Sequence, residues 1–288
     1  MMYSRRELGK IAAAVFPLSI ALGKPDSRVN GVQLGAQSNS FSDRSLDEAL
    51  KVLVEIGIGE CELWQGHVEP RPQGRGQAGM DLRKWREETP ASYFGGIARK
   101  VNQAGIRLYD YDYQFHENFE DQEIERGFLM AKALGVKYMV TSSATVSLAK
   151  RMAPFAEKHR ITVGMHGRTN LKDPNEFARP ESYETALGYS KYIAVNLDIG
   201  HYVAAGFDPL PFIEKHHARI VSLHLKDRKK DQGPSMPFGQ GDTPIKEVLQ
   251  LLKKNKWEIP AQIEYDVRGG DRVADFKKAY EYCKQALA

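Results

Sequence analysis

What most restricts the fold of this chain is a period. A short β-rich run, a loop and an amphipathic stretch recur eight times. The β-rich runs fall at residues 32–37, 59–64, 106–111, 136–141, 161–166, 193–198, 219–226 and 261–265. Helical spacing recurs between them at 46–56, 92–104, 123–134, 147–159 and 245–254, and a last helix at 273–287 closes the chain. Gly57, Gly105 and Gly135 follow three of these helices, where a left-handed residue best satisfies the final carbonyls. Strict alternation of this kind predicts an α/β protein with a parallel sheet. Eight units in about 260 residues predict a single-domain (β/α)8 TIM barrel over an open doubly wound sheet. No Gly-x-Gly-x-x-Gly turn follows the first run, so a dinucleotide fold has no support.

The chain of 288 residues carries 41 basic against 37 acidic side chains, a net charge of +4. Without a clustered basic face this excess argues against a nucleic-acid partner. Half of it lies in the first 23 residues, where Arg5, Arg6 and Lys10 stand against Glu7. That stretch continues as a modestly apolar run interrupted by Pro17 and ends on small residues, the pattern of a secretory leader. Its paired arginines are similar to a twin-arginine export signal. The expected organisation is an export signal at 1–23, a linker at 24–31 and the barrel at 32–288, with a periplasmic or secreted location. The apolar run is too short for a stable membrane anchor. Two cysteines, Cys61 and Cys283, exclude a disulfide framework and a thiolate zinc site. Nothing in the sequence sets the oligomeric state.

Chemistry enters at the ends of the fifth to eighth runs. They read Gly164-Met165-His166, Asn196-Leu197-Asp198, Ser222-Leu223-His224 and Gln262-Ile263-Glu264. Side chains alternate faces along a strand. Val163, Met165, Val195, Leu197, Val221, Leu223, Leu225 and Ile263 share the phase expected to face the helices. His166, Asp198, His224 and Glu264 then point to the barrel axis near its top. Two imidazoles and two carboxylates suit one borderline divalent ion, Mn2+, Zn2+, Co2+ or Fe2+, better than calcium or magnesium. Two long connections, 65–90 and 228–244, follow strands and should lie on the same rim. Lys226 shares the inward phase two residues after His224, and Arg168 follows the fifth run as a possible clamp. Trp64, with Tyr109, Tyr111 and Tyr113, offers aromatic surface for a sugar, although core packing also accounts for most of them.

These strings resemble the sugar phosphate isomerase/epimerase family of xylose-isomerase-like TIM barrels. The resemblance runs over residues 32–287. It rests on Leu197-Asp198-Ile199-Gly200-His201, His224-Leu225-Lys226-Asp227, Phe238-Gly239-Gln240-Gly241-Asp242 and Ile263-Glu264-Tyr265. It implies that Asp198, His224 and Glu264 are metal ligands, that His201 touches substrate beside the metal, and that Glu62 is an acidic residue near the sugar. The fifth run departs from the epimerase pattern, carrying His166 where ketose 3-epimerases carry a second glutamate.

The expected activity is metal-dependent isomerisation or epimerisation of a sugar or polyol. It would proceed by proton abstraction next to a carbonyl and a metal-stabilised enediolate. Glu264, His201 and Lys226 are the expected catalytic groups, and Glu62, Trp64, His201, Arg168 and Arg228 the expected substrate contacts. Loss of water or an aglycone from a 3-keto sugar or glycoside, by a lyase or hydratase, is the alternative. A non-catalytic sugar-binding barrel is the alternative from another class. A related abasic-site endonuclease would need further metal-binding histidines, and only His67 and His116 stand near the second and third runs.

Overall fold

The computed structural model describes residues 25–70 and 82–288. The expected export signal at 1–23 therefore lies outside the described residues, as does the middle of the connection after the second strand.

Eight parallel strands close into a barrel: β1 (Val32–Gln37), β2 (Glu60–Trp64), β3 (Arg107–Asp112), β4 (Tyr138–Thr141), β5 (Thr162–His166), β6 (Ile193–Asp198), β7 (Ile220–Leu225) and β8 (Ala261–Ile263). Each pairs with the next in sequence, and β1 pairs back onto β8 through Leu34↔Ala261 and Gly35↔Gln262. Outside lie α1 (Leu46–Ile56), α2 (Leu82–Glu88), α3 (Ala91–Gln103), α4 (Asp121–Leu134), α5 (Val146–His159), α6 (Pro180–Leu187), α7 (Ile199–Ala204), α8 (Pro209–His216), α9 (Ile245–Asn255) and α10 (Arg272–Leu287). No helix among the described residues is long and apolar enough to cross a membrane.

Local chemistry explains the helix ends. Ser45 and Glu48 form a reciprocal capping box at α1, and Gly57 and Gly135 take the left-handed conformation after α1 and α4. Helices α6 and α8, absent from the expected pattern, are eight residues each and begin at Pro180 and Pro209. Two turns are too short for a repeating apolar stripe to stand out, although proline at the first helical position is itself a start signal.

The core between sheet and helices holds Val163, Met165, Val195, Leu197, Leu223, Leu225 and Ile263, as strand alternation requires. Burying each such side chain contributes roughly 1.5–3 kcal/mol. Val221 is the exception. The β6–β7 ladder pairs Val195 with Ile220 and Asn196 with Ser222, so Val221 is an extra, bulged residue. Its side chain lies inside the barrel against Gly164, whose missing Cβ would stand 2.7 Å from Val221 Cγ2. A second bulge, at Tyr109 of β3, faces it, and the Tyr109 hydroxyl donates to the Val221 carbonyl at 2.8 Å.

The expected linker is also part of the fold. Arg28–Val29 pairs antiparallel with Gln33 and Val32 through a turn at Asn30 and Gly31, both with positive φ. Asn-Gly is the residue pair such a turn needs, and it is the signal that sequence reading passed over. The buried Ser27 hydroxyl donates to Leu34 O and accepts from Gly59 N, which ties this arm to β1 and to the start of β2.

Candidate metal centre and cleft

The ends of β5 to β8 bring four side chains to one point. One ligand atom from each of His166, Asp198, His224 and Glu264 lies within 4.8 Å of all the others. His166 Nε2 stands 3.0 Å from His224 Nδ1, 3.6 Å from Asp198 Oδ2 and 3.8 Å from Glu264 Oε2. His224 Nδ1 is 2.9 Å from Glu264 Oε2. Register explains the convergence: Asp198 and His224 are direct partners across β6 and β7, and Glu264 N bonds Leu225 O just beyond β8.

Each ligand is oriented by its other atoms. Asp198 caps α7, with Oδ1 accepting from His201 N at 2.8 Å, so Oδ2 is left to face the cluster. That second oxygen is fully buried and accepts no hydrogen bond. His224 Nε2 lies 2.9 Å from both oxygens of Glu62. Glu62 accepts from the Nε2 proton, so it is Nδ1 that would be offered to a metal ion. A buried carboxylate oxygen that accepts no hydrogen bond and two facing imidazole nitrogens are groups that a divalent cation would satisfy.

Lys226 completes the electrostatics. Its Nζ lies 2.9 Å from Glu264 Oε1, 3.3 Å from Asp198 Oδ2 and 3.2 Å from Asp266 Oδ2. Burial works against its charge, but these carboxylates outweigh burial and hold it above the ordinary lysine range. Burial likewise opposes ionisation of Asp198, yet the Lys226 charge and a hydrogen bond from His166 hold its carboxyl below the usual range. His201 is pushed the other way, down to about 3, chiefly by burial and further by Lys226 and His166. Arg228 Nη1 contacts His201 Nδ1 at 2.5 Å, and a guanidinium only donates. His201 is therefore a neutral ring with its proton on Nε2, 3.5 Å from Asp198 Oδ2.

Residues 122–286 match the family described as xylose isomerase-like TIM barrel. The chain belongs to that family. An inosose dehydratase of Mesomycoplasma hyopneumoniae is 22% identical over 298 residues, spanning 85% of this chain and 90% of its own length. The solved 3-keto-D-glucoside 4-epimerase of Escherichia coli superposes with a TM-score of 0.66 at 11% identity, covering 88% of this chain and 99% of the other. The structure of an IolI protein with a zinc atom gives 0.62 at 15% identity, over 89% and 95% of the two chains. At such identities the two structural likenesses are likenesses of fold.

This xylose isomerase-like barrel opens above the four ligands into a cleft of about 390 Å3. His166, His224, Glu264, Lys226 and His201 line one side, and the expected contacts Trp64 and Arg168 also line the cleft. Two expected substrate contacts stand differently. Glu62 has no exposed surface and lies behind His224, because its carboxylate is used up on the imidazole. Arg228 is not in the wall either. Its guanidinium bonds Gly233 O and His201, so it reaches the cleft only through His201. Tyr111 and Tyr113 are fully buried core residues, and Tyr109 lies low in the barrel.

Sequence reading missed the opposite wall, formed by Gln37, Asn39, Asp112, Gln114, Ser142 and Ser143. Asp112 ends β3, one residue past the expected run, and its inward position is visible only once the Tyr109 bulge is known. Burial, then the Glu62 carboxylate, pushes Asp112 up to about 8.

Proposed function

We propose that this chain is a divalent-metal-dependent enzyme that removes a proton next to the carbonyl of a sugar or polyol, and that it isomerises or epimerises its substrate. The observation carrying this reading is the convergence of two imidazoles and two carboxylates within 4.8 Å, under a cleft and beside a buried ammonium. A divalent ion such as manganese, zinc, cobalt or iron held there would polarise the substrate carbonyl. Of the two carboxylates in the set, only Glu264 lines the cleft, and it is the group placed to take the proton. Lys226, 2.9 Å from Glu264, is the charged donor that returns a proton to carbon or oxygen. His201, neutral and protonated on Nε2, offers a hydrogen bond to a substrate oxygen and is no base.

A second reading, elimination of water or an aglycone, is favoured by one observation. The fifth strand supplies His166, so base and ammonium lie on the same side in place of two opposed carboxylates. In that case Glu264 takes the proton and Lys226 protonates the departing oxygen. The relative that is an inosose dehydratase agrees with this outcome. Incubation of the metal-loaded protein in D2O with ketoses, inososes and 3-keto-glucosides tests both readings by NMR. Deuterium at a carbon next to the carbonyl is expected. Retention of the skeleton indicates isomerisation or epimerisation, and an enone or freed aglycone indicates elimination. No exchange with any of them, at one metal per chain, would leave a binding barrel and end both readings.

A further inference from the structure

A short hairpin follows β7 outside the cleft. Lys229 N bonds Pro234 O, Arg228 pairs antiparallel with Ser235, and the chain reverses at Asp231 and Gln232, with φ of 53° and 62°. Two successive left-handed residues without glycine persist only where surrounding bonds over-determine them. Those bonds run to α7. Gln232 N and Nε2 both donate to Ala204 O, at 2.9 and 3.3 Å, on the last residue of the helix that carries His201 in its first turn. Gly233 lets the turn close, since a Cβ there would stand 2.4 Å from Lys229 Cβ. Asp231 and Gln232 are exposed and are not part of the cleft wall.

The turn aims Gly233 O at Arg228, whose Nε and Nη2 donate to it at 3.0 and 2.5 Å. No carboxylate pairs with this guanidinium among the described residues. That one carbonyl and His201 Nδ1, 2.5 Å from Nη1, hold it in place. The contacts close a ring from His201 through Arg228, Gly233 and Gln232 back to α7 at Ala204. At the other nitrogen of His201 two groups compete. Lys226 Nζ lies 3.4 Å from Nε2 and, as a donor, favours an unprotonated Nε2. Asp198 Oδ2, 3.5 Å from Nε2, favours a proton there, but it is the oxygen that a metal ion would take. Once that oxygen is spent on an ion, Arg228 is the group that keeps the proton on Nε2.

We propose that the turn at 229–233 is a positioning element for His201, with Gln232 as its anchoring residue. By holding Arg228 it determines that His201 presents a donor, and not an acceptor, to the cleft. Its bearing on turnover rests on the reading above, but a spectroscopic signature tests it without any substrate. The sample is the zinc-loaded full chain, with the His201 ring assigned in long-range 1H–15N spectra by comparison with His201→Asn. Wild type should show a protonated Nε2 and an unprotonated Nδ1. Gln232→Gly keeps the N–H and accommodates the positive φ, so it should leave this pattern unchanged. Gln232→Pro removes the N–H and cannot take a positive φ, and Arg228→Met removes the donors to Gly233 O and His201. Each should raise the population protonated on Nδ1 at least about tenfold, the effect of losing one hydrogen bond to a charged group, with zinc still at one per chain. If the proline variant does not fold, Gly233→Ala, which displaces the same carbonyl, takes its place. A smaller rise in Arg228→Met or in the folded turn variant, or an equal rise in Gln232→Gly, would overturn the proposal. The expected shifts in a protein that shows no deuterium exchange would uphold it and refute the reaction.

Discussion

At the scale of single residues, the decisive contacts are the ones behind the ligands. Glu62 determines which nitrogen of His224 faces the centre, and Arg228 does the same for His201. An orienting carboxylate behind a ligating imidazole raises its basicity and holds its ring, and losing one typically costs 10- to 100-fold in metal affinity. Glu62→Gln should therefore bind zinc or manganese at least about tenfold more weakly than wild type in a chelator-competition titration, with its fold intact by circular dichroism. Equal affinity would show that strand geometry alone orients His224. Much of this layer was open to sequence reading. Strand phase was enough to aim His166, Asp198, His224 and Glu264 inward. It could not tell that Glu62 would be spent on His224, because alternation assigns a side chain to a face but not to a partner.

At the scale of elements, the turn from β6 into α7 does two tasks with one residue. Asp198 ends the strand, caps the helix with Oδ1 and presents Oδ2 to the centre. Gly200 makes room for this turn. A Cβ there would lie 2.5 Å from the Lys226 carbonyl oxygen and 2.9 Å from Lys226 Cβ. Gly241 has the same role on the neighbouring loop. Asp227 accepts from the N–H groups of Gly239, Gly241 and Thr243, and a Cβ on Gly241 would meet its carboxylate. The glycines of the Ile-Gly-His and Gly-Gln-Gly motifs are thus demanded by close approach. Gly200→Ala should push α7 away from Lys226, destabilising the chain by about 1–3 kcal/mol in urea unfolding. It should also weaken metal binding through the displaced Asp198. Unchanged stability would mean that the loop yields without strain. The bulges at Tyr109 and Val221 mark the limit of reading at this scale, since an inserted residue depends on both strands of a pair.

At the scale of the whole molecule, the inward face of β2 and β3 is acidic. Glu60, Glu62, Asp110 and Asp112 are all buried on β2 and β3. Burial raises Glu60 from its ordinary 4.5 to about 7, against the pull of the exposed Arg107. The folded chain therefore holds this proton where the unfolded chain has lost it. Stability falls as pH rises from about 4.5 through 7, by up to about 1.4 kcal/mol per unit, and the loss is complete above the folded value. Asp112 acts in the same direction toward a higher pH. Glu60→Gln should gain stability over wild type as pH is raised from 5.5 to 8, by about 2 kcal/mol at most, measured by denaturant unfolding at each pH. Parallel pH profiles for the two proteins would refute this role for Glu60.

The barrel, its strand count and the inward phase of four ligand-type residues were determined by the sequence itself. Period and alternation are local properties: they depend on how one residue's backbone places its neighbours, whatever the rest of the chain does. What only the tertiary structure decided is non-local. It placed Glu62 behind His224, turned Val221 inward, made the expected linker into a hairpin arm, and set Asp112 between Gln37 and Gln114 across the cleft from the ligands. Each of these depends on register between strands distant in sequence. A ladder that slips by one residue sends a side chain to the other face, and no local pattern records the slip.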